Sequence, residues 1–520
     1  MNLSLLDLIV VGCYAVSIIA LALYVSRDKG GHTRTSKDYF LAGNSLTWWA
    51  IGSSLIASNI SAEQFVGMSG AGYDLGIGIA SYELMAAATL ILIAKFFLPI
   101  FIKHKIYTMP QFLEQRYDGR VRTVLAIFWM IVYVSVNLTS VLYLGALTIE
   151  QIVGWDLMYG IFGLALFALV YSLYGGLMAV AWTDVVQVIV LLFGGIFTTW
   201  MALDAVSDGA GPLSGAQILI EKVPEKFHLI LSKDNPHYMD LPGISVLVGG
   251  MWVVNLYYWG CNQYITQRAL AAKSLNEAQK GIIFASYLKI LMPIIVVIPG
   301  VAAYVLTQGD LAKADGAYPW LLGQLPTGIK GLAFAGLMAA IVSSLSSMLN
   351  SFSTIFTIDI YKPYFAKNTS EKELVNVGRI SMVTGLVIAV AIARPLLGNL
   401  PQAFEFIQNM TGYVSPGILT VFLFGFFWSK SSANAALIVS ITGVILSYAI
   451  TALLPNVPFI DRMGIVFLCC AVIMIVASKL DSKSPRGEKM LWSDFHTDHT
   501  FNILSIVLCV LLVIIYSLFW

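Results

Sequence analysis

Apolar residues in this chain run in long blocks, with charged residues gathered between the blocks rather than interleaved with them. A helix of about 20 apolar residues crosses a bilayer core. About fourteen blocks approach or exceed that length: 4–26, 45–73, 77–102, 123–152, 155–174, 177–203, 242–269, 281–307, 328–360, 376–396, 404–427, 433–454, 463–478 and 500–520. In hydrocarbon every backbone N–H and C=O must be paired within the protein, so blocks of this length read as helices. The pattern predicts an all-α polytopic membrane protein, one transmembrane domain over 1–520. The longest hydrophilic stretch, about 204–241, is too short for a separate soluble domain and predicts a structured external loop.

Composition agrees. Of 520 residues, 58% are hydrophobic and 11% charged, against about 25% charged in soluble domains. The net charge of +1 gives no footing for nucleic acid. The five cysteines (Cys13, Cys261, Cys469, Cys470, Cys509) sit in apolar blocks without metal-ligand spacing and read as small hydrophobes.

Charge placement predicts orientation. No Lys or Arg precedes the first block, whereas Arg27, Lys29, Arg34 and Lys37 follow it. The positive-inside rule then puts that loop in the cytoplasm and the N-terminus outside. The loops that alternation places inside, 103–122, 268–280 (with Arg268), 362–379 and 479–489, are each basic. An even number of spans, with both termini outside a cell inner (plasma) membrane, follows. The Asn-x-Ser/Thr triplets at Asn137, Asn368 and Asn409 then fall in spans or inside.

Two blocks are interrupted. The first, 45–73, carries Ser58-Asn59-Ile60-Ser61-Ala62-Glu63-Gln64 at its centre; the second, 242–269, carries Gly249-Gly250, Asn255, Trp259-Gly260 and Asn262-Gln263. Irregular backbone at membrane depth is tolerated only where it is buried or lines a cavity. A pair of broken helices, each opening a set of five spans, is the sequence mark of an inverted-repeat transporter, here over 45–203 and 242–427. The plainer alternative is polar side chains that pack helices together.

Charged groups near the bilayer centre cost at least about 2.5–3.5 kcal/mol and require partners or water. The candidates are Glu63, Gln64, Glu83, Asp184, Asn255 and Lys289. An acid, a base and amides from both breaks make a pocket of donors and acceptors suited to a polyhydroxylated neutral solute. Tyr82, Tyr257, Tyr258 and Trp259 add aromatic faces. Glu83 and Lys289 could equally pair to bind helices, and Asp184 could mark a helix start. The serines of Ala339–Asn350 read on composition as helix packing.

At these residues the chain resembles the sodium/solute symporter family, and within it the bacterial sodium/galactose (sodium/glucose) cotransporters. The likeness covers nearly the whole chain. It is densest in Ala57–Gln64, in Gly175-Gly176-Leu177 through Trp182-Thr183-Asp184, in Asn255–Gly260 and in Ala340-Ile341-Val342-Ser343-Ser344. The resemblance implies a LeuT-type core of two inverted five-helix repeats, with one extra helix before it (4–26) and three after it (433–520). It implies a sugar pocket of Gln64, Glu83, Asn255 and Lys289 with Gln408 nearby. Met68, Tyr82 and Phe404 would close that pocket from outside, and Tyr258, with Trp259 adjacent, from inside. A sodium ion would be held by the carbonyls of Ala57, Ile60 and Ala340 and the hydroxyls of Ser343 and Ser344, with Asp184 on its inward path. One position departs from the galactose pattern: Ala86 stands where a serine is expected, removing one hydroxyl contact.

The partners expected are therefore sodium, a small sugar and the bilayer. Rival readings are another cargo such as an amino acid, proton coupling through Glu83 or Asp184, or a sensor, which would need a large soluble signalling domain. An enzyme is disfavoured: there is no nucleophile–base constellation, HExxH cluster or phosphate loop, and the six histidines lie between blocks.

Overall fold

The computed structural model describes residues 3–27, 35–366, 368–398, 403–481, 487 and 492–520. Among them helix is the only regular structure, apart from an isolated bridge between Leu46 and Ala272. Among the described residues eleven helices are long and apolar enough to cross a membrane, and Leu157–Val170 is a shorter apolar one. Of the expected blocks, 155–174 is only the shorter helix, and 45–73 and 242–269 are split. Trp48–Asn59 stands apart while the second half of the first block runs on into the span Glu63–Lys103, and the second block divides into Met251–Cys261 and Gln263–Leu270, so the count of fourteen is not reproduced by length alone.

Local chemistry sets the boundaries. Ser4 and Asp7 form a capping box at the start of Leu5–Val25, satisfying orphan N–H groups of the first turn. Asp7 is also buried, and its Oδ1 accepts from the N–H of Gly328 (2.7 Å) and Gly331 (2.8 Å), pinning this outer helix to the head of Ile329–Ile355. Between blocks 155–174 and 177–203 the chain kinks at Gly176, with φ 56° and ψ −151°, a conformation open essentially to glycine alone. The carbonyl oxygen of Tyr39 would lie 2.3 Å from any Cβ there. Three wide π-type turns, Ile93–Phe97, Pro293–Val297 and Phe356–Tyr361, each end two residues before a proline (Pro99, Pro299, Pro363). A proline ring clashes with the carbonyl four residues back, and the wider turn absorbs that clash without ending the helix.

Ile329–Ile355 is the hub: every residue in it but Ile329, Lys330 and Leu332 is buried, whereas Leu5–Val25, Ala433–Leu453, Phe459–Leu480 and His499–Leu518 bury only a few residues each and turn their other apolar side chains outward. The 207–244 connection is structured. Lys226 Nζ donates to the carbonyls of Tyr73 (2.8 Å) and Asp74 (2.7 Å), the open end of Ser69–Leu75, and lies over the Tyr304 ring. The Leu46–Ala272 bridge ties the chain entering the first broken helix to the chain leaving the second.

Candidate functional site

The first helix stops at Ile60, whose backbone is extended (ψ 117°). The N–H of Ser61, which would continue the helix by bonding Ala57 C=O, instead donates to Gln64 Oε1 (2.9 Å). That turn releases the Ala57 carbonyl from its helical partner. The carbonyls of Ser58 and Ile60 accept from Ser344 Oγ, at 3.0 and 3.1 Å. Ser343 Oγ donates to Asp184 Oδ1 (2.5 Å), which leaves its own lone pairs open. Ala57, Ile60, Ala340, Ser343 and Ser344 are all buried. Ala340 lies in unbroken helix, so its carbonyl has only its second lone pair to offer. The set is neutral oxygen, the donor type that suits a weakly held hard cation.

Asp184 is fully buried, and its other oxygen accepts from Ser54 Oγ (2.5 Å). It does not start a helix. Helical backbone resumes directly after Gly176, more than a turn earlier, and the carboxylate points across to two other helices. Arg268, expected in an inside loop, is likewise internal: it lies in Gln263–Leu270 and is 0% exposed. Hydroxyls of Ser54 and Ser347, the Tyr264 carbonyl and Asp184 Oδ2 at 4.0 Å supply the partners that make its burial tolerable.

On the other side of the first break lies a cavity of about 80 Å³, room for several waters at about 10–15 Å³ each. Gln64, Met68, Tyr82, Glu83, Asn255, Tyr258, Trp259, Lys289 and Gln408 all line it, and so does Ala86. Phe404 lies outside the residues whose side chains are described. Glu83 and Lys289 form a buried ion pair in the cavity wall, with side chains 5% and 1% exposed. Lys289 also donates to Asn59 Oδ1 and sits 5.0 Å from the centre of the Trp259 ring. Asn59 Nδ2 donates to the Tyr258 hydroxyl (2.9 Å), joining the two broken helices directly. Asn255 is back-bonded to the Met251 carbonyl (3.1 Å). Glu63, Asn137 and Asn262 complete the polar wall: Glu63 accepts from Ser140 (3.1 Å), and Asn137 Oδ1 is buried without a partner.

Residues 39–443 match the model of the sodium:solute symporter family. The chain belongs to that family. It is 51% identical to a sodium/glucose cotransporter of Vibrio parahaemolyticus, over 100% of this chain and 99% of that one. It is 33% identical to the sodium/myo-inositol cotransporter 2 of Homo sapiens, over 85% of this chain and 69% of the relative. Among solved structures it is similar to a substrate-bound, outward-open Na⁺-coupled sialic acid symporter (TM-score 0.81, 24% identity, 94% of this chain and 100% of that one). It is also similar to Mhp1, a nucleobase-cation-symport-1 family transporter (TM-score 0.57, 13% identity, 86% and 96%). These likenesses carry the fold. The relatives are transporters, not enzymes, and the family couples solute movement to sodium.

Proposed function

We propose that this symporter imports a neutral sugar of the glucose or galactose type together with sodium, by alternating access. The observation that carries the reading is the cavity between the two breaks, closed by the Glu83–Lys289 pair and flanked by uncharged amides from both broken helices. A sugar hydroxyl both donates and accepts, so it replaces a Lys–carboxylate bond on either side without stranding a charge. A carboxylate cargo would need a cation unopposed, and Lys289 is opposed. The 51% relative named as a sodium/glucose cotransporter supports the same cargo class. Ala86 in the wall removes a hydroxyl and leaves the choice between the two sugars to the remaining contacts.

In this reading Gln64, Glu83, Asn255, Lys289 and Gln408 bind sugar. Met68, Tyr82 and Phe404 close over it from outside, and Tyr258 with Trp259 closes it from inside. Sodium, a co-substrate, sits among the carbonyls of Ala57, Ile60 and Ala340 and the hydroxyls of Ser343 and Ser344, and leaves past Asp184. The repeats 45–203 and 242–427 rock against each other, with helix 4–26 and helices 433–520 outside them and both termini outside the plasma membrane. Sodium favours the outward arrangement in which the pocket is formed, and its departure loosens Tyr258; coupling is that shared preference. One sodium supplies about 1.4 kcal/mol per tenfold gradient and about 2.3 kcal/mol per 100 mV, enough for a few-hundredfold accumulation.

The test is uptake of labelled glucose and galactose into proteoliposomes at fixed pH, with and without an inward sodium gradient. Sodium-driven accumulation of either sugar is expected. Accumulation that follows a pH gradient instead would replace sodium with the proton. Uptake of neither, by protein that sodium still stabilises, would discard the sugar.

A further inference from the structure

Two runs of hydrogen bonds meet at Tyr264: one leads from the Ser343–Asp184 cluster through Arg268 to the Tyr264 carbonyl, the other from the Tyr264 hydroxyl to the Glu83–Lys289 pair. Asp184 accepts from Ser343 and Ser54 (both 2.5 Å). The Ser54 hydroxyl accepts from Arg268 Nε (3.1 Å). Arg268 Nη1 donates to the carbonyl of Tyr264, one turn back on its own helix. The Tyr264 hydroxyl is bonded to that of Tyr258 (2.5 Å), Tyr258 accepts from Asn59 (2.9 Å), and Asn59 accepts from Lys289, which holds Glu83.

The placing of Arg268 calls for a reason. Every residue of Gln263–Leu270 is buried, and an arginine is among the most expensive side chains to carry into a membrane protein's interior. Its partners include the hydroxyls of Ser54 and Ser347, the Tyr264 carbonyl and, at 4.0 Å, Asp184 Oδ2. A helix-packing role could be filled by an apolar side chain at lower cost. What an apolar side chain cannot do is respond to charge. A cation at Ser343 would compete with Arg268 for Asp184 and weaken the pull of that carboxylate on the guanidinium, which would then rest more on its bonds to Tyr264 and Ser347.

We propose that Arg268 is a positioning residue that transmits occupancy of the cation site to the Tyr258 closure through Tyr264, and so sets the strength of sodium–sugar coupling. This rests on the sodium–sugar reading above. The relay has a short physical path, and both ends share the first broken helix, so it needs no long-range wire.

The experiment measures equilibrium binding of labelled glucose or galactose, whichever the wild type accumulates, to the purified full chain. Affinities are taken in saturating sodium and with choline replacing sodium, and their ratio is the coupling factor, commonly about 5–150-fold. Tyr264→Phe, which deletes only the hydroxyl joined to Tyr258, and Arg268→Gln are each expected to bring that ratio to within about twofold of one, with the sodium-free affinity kept within about threefold. Arg268→Lys, which keeps the charge, is expected to restore part of it. A structural plug would lower protein yield but leave the ratio alone. An unchanged ratio in Tyr264→Phe overturns the relay, and that variant decides the matter if Arg268→Gln does not fold. A wild-type ratio of one overturns the sodium–sugar reading itself and the relay with it.

Discussion

The Glu83–Lys289 pair permits a quantitative test, because its two possible roles part company in a double substitution. Both side chains are almost wholly buried. Removing one partner strands the other's charge, which costs about 3–5 kcal/mol, a large share of a usual net stability of about 5–15 kcal/mol. Lys289→Met and Glu83→Gln are each expected to lose that much. The double variant strands no charge. It still loses the hydrogen bond to Asn59, about 1 kcal/mol, and the contact with Trp259, about 0.5–2 kcal/mol. It should therefore lie about 1.5–3 kcal/mol below wild type and above both single variants. Unfolding of purified protein followed by tryptophan fluorescence, at fixed sodium without sugar, measures all four. If either single variant loses less than about 1 kcal/mol, the pair is not a desolvated one and the pocket electrostatics are wrong. Transport separates the roles: a double variant that folds and still accumulates sugar normally would make the pair a helix clamp, and the sugar site would have to be sought elsewhere.

Further outcomes are expected elsewhere in the chain. Ser343→Ala removes one oxygen from the proposed cation site, and the sodium concentration for half-maximal uptake should rise about tenfold, the weight of one neutral contact; normal uptake at limiting sodium would refute the assignment. Gly176→Ala forces a Cβ against the Tyr39 carbonyl in a backbone region that costs side chains about 1–3 kcal/mol, so its melting temperature and yield should fall well below those of Gly163→Ala, where a Cβ meets nothing within 4 Å. Asp315, in the turn between Thr307 and Ile329, has its carboxyl pushed up to about 6 by burial and then by the charge of Asp74, with Lys313 opposing. The folded chain thus holds that proton more tightly than the unfolded one, and stability falls as pH rises from about 4 to about 6. Asp315→Asn should therefore exceed wild type in melting temperature at pH 7–8 but not near pH 4, and a gap that does not change with pH would refute this.

The sequence announced the pocket because the bilayer makes polarity costly. Gln64, Glu83, Asn255 and Lys289 are conspicuous in apolar blocks for that reason, and the structure brings all four to one cavity. The breaks were legible on the same ground, down to the bend between Ser58 and Gln64. Arg268 was hidden. An arginine at the end of an apolar block looks the same whether it emerges into a basic loop or turns inward, and counting charges favours the loop. The better signal was its company: Gln263, Thr266 and Gln267 precede it, too polar for a lipid-facing turn, and each is pinned inside, Gln267 to Phe40 and Thr354 for example. Asp184 was misplaced for a related reason. Gly175-Gly176 marks a boundary correctly, but the helix resumes at once, so the carboxylate lies within a helix rather than at its start. Asn59 lay in plain view in the broken segment, yet its bridge from Lys289 to Tyr258 depends on a contact between distant helices that no local pattern encodes.

One backbone irregularity serves both proposed ligands, and this is why coupling in such a fold is economical of structure. The stop at Ile60 turns the carbonyls of Ser58 and Ile60 toward Ser344 and releases that of Ala57. The same few residues turn Asn59 and Gln64 toward the cavity. A cation that ties those carbonyls to Ile329–Ile355 would fix the segment on one side, and a sugar held by Gln64 in the cavity that Asn59 also lines would fix it on the other. Each ligand would thereby spare the other part of the ordering cost, which adds to the coupling that a shared preference for the outward arrangement supplies. Had the break been a straight helix, its carbonyls would have been spent on the i+4 N–H groups, and neither ligand would have had a reason to sense the other.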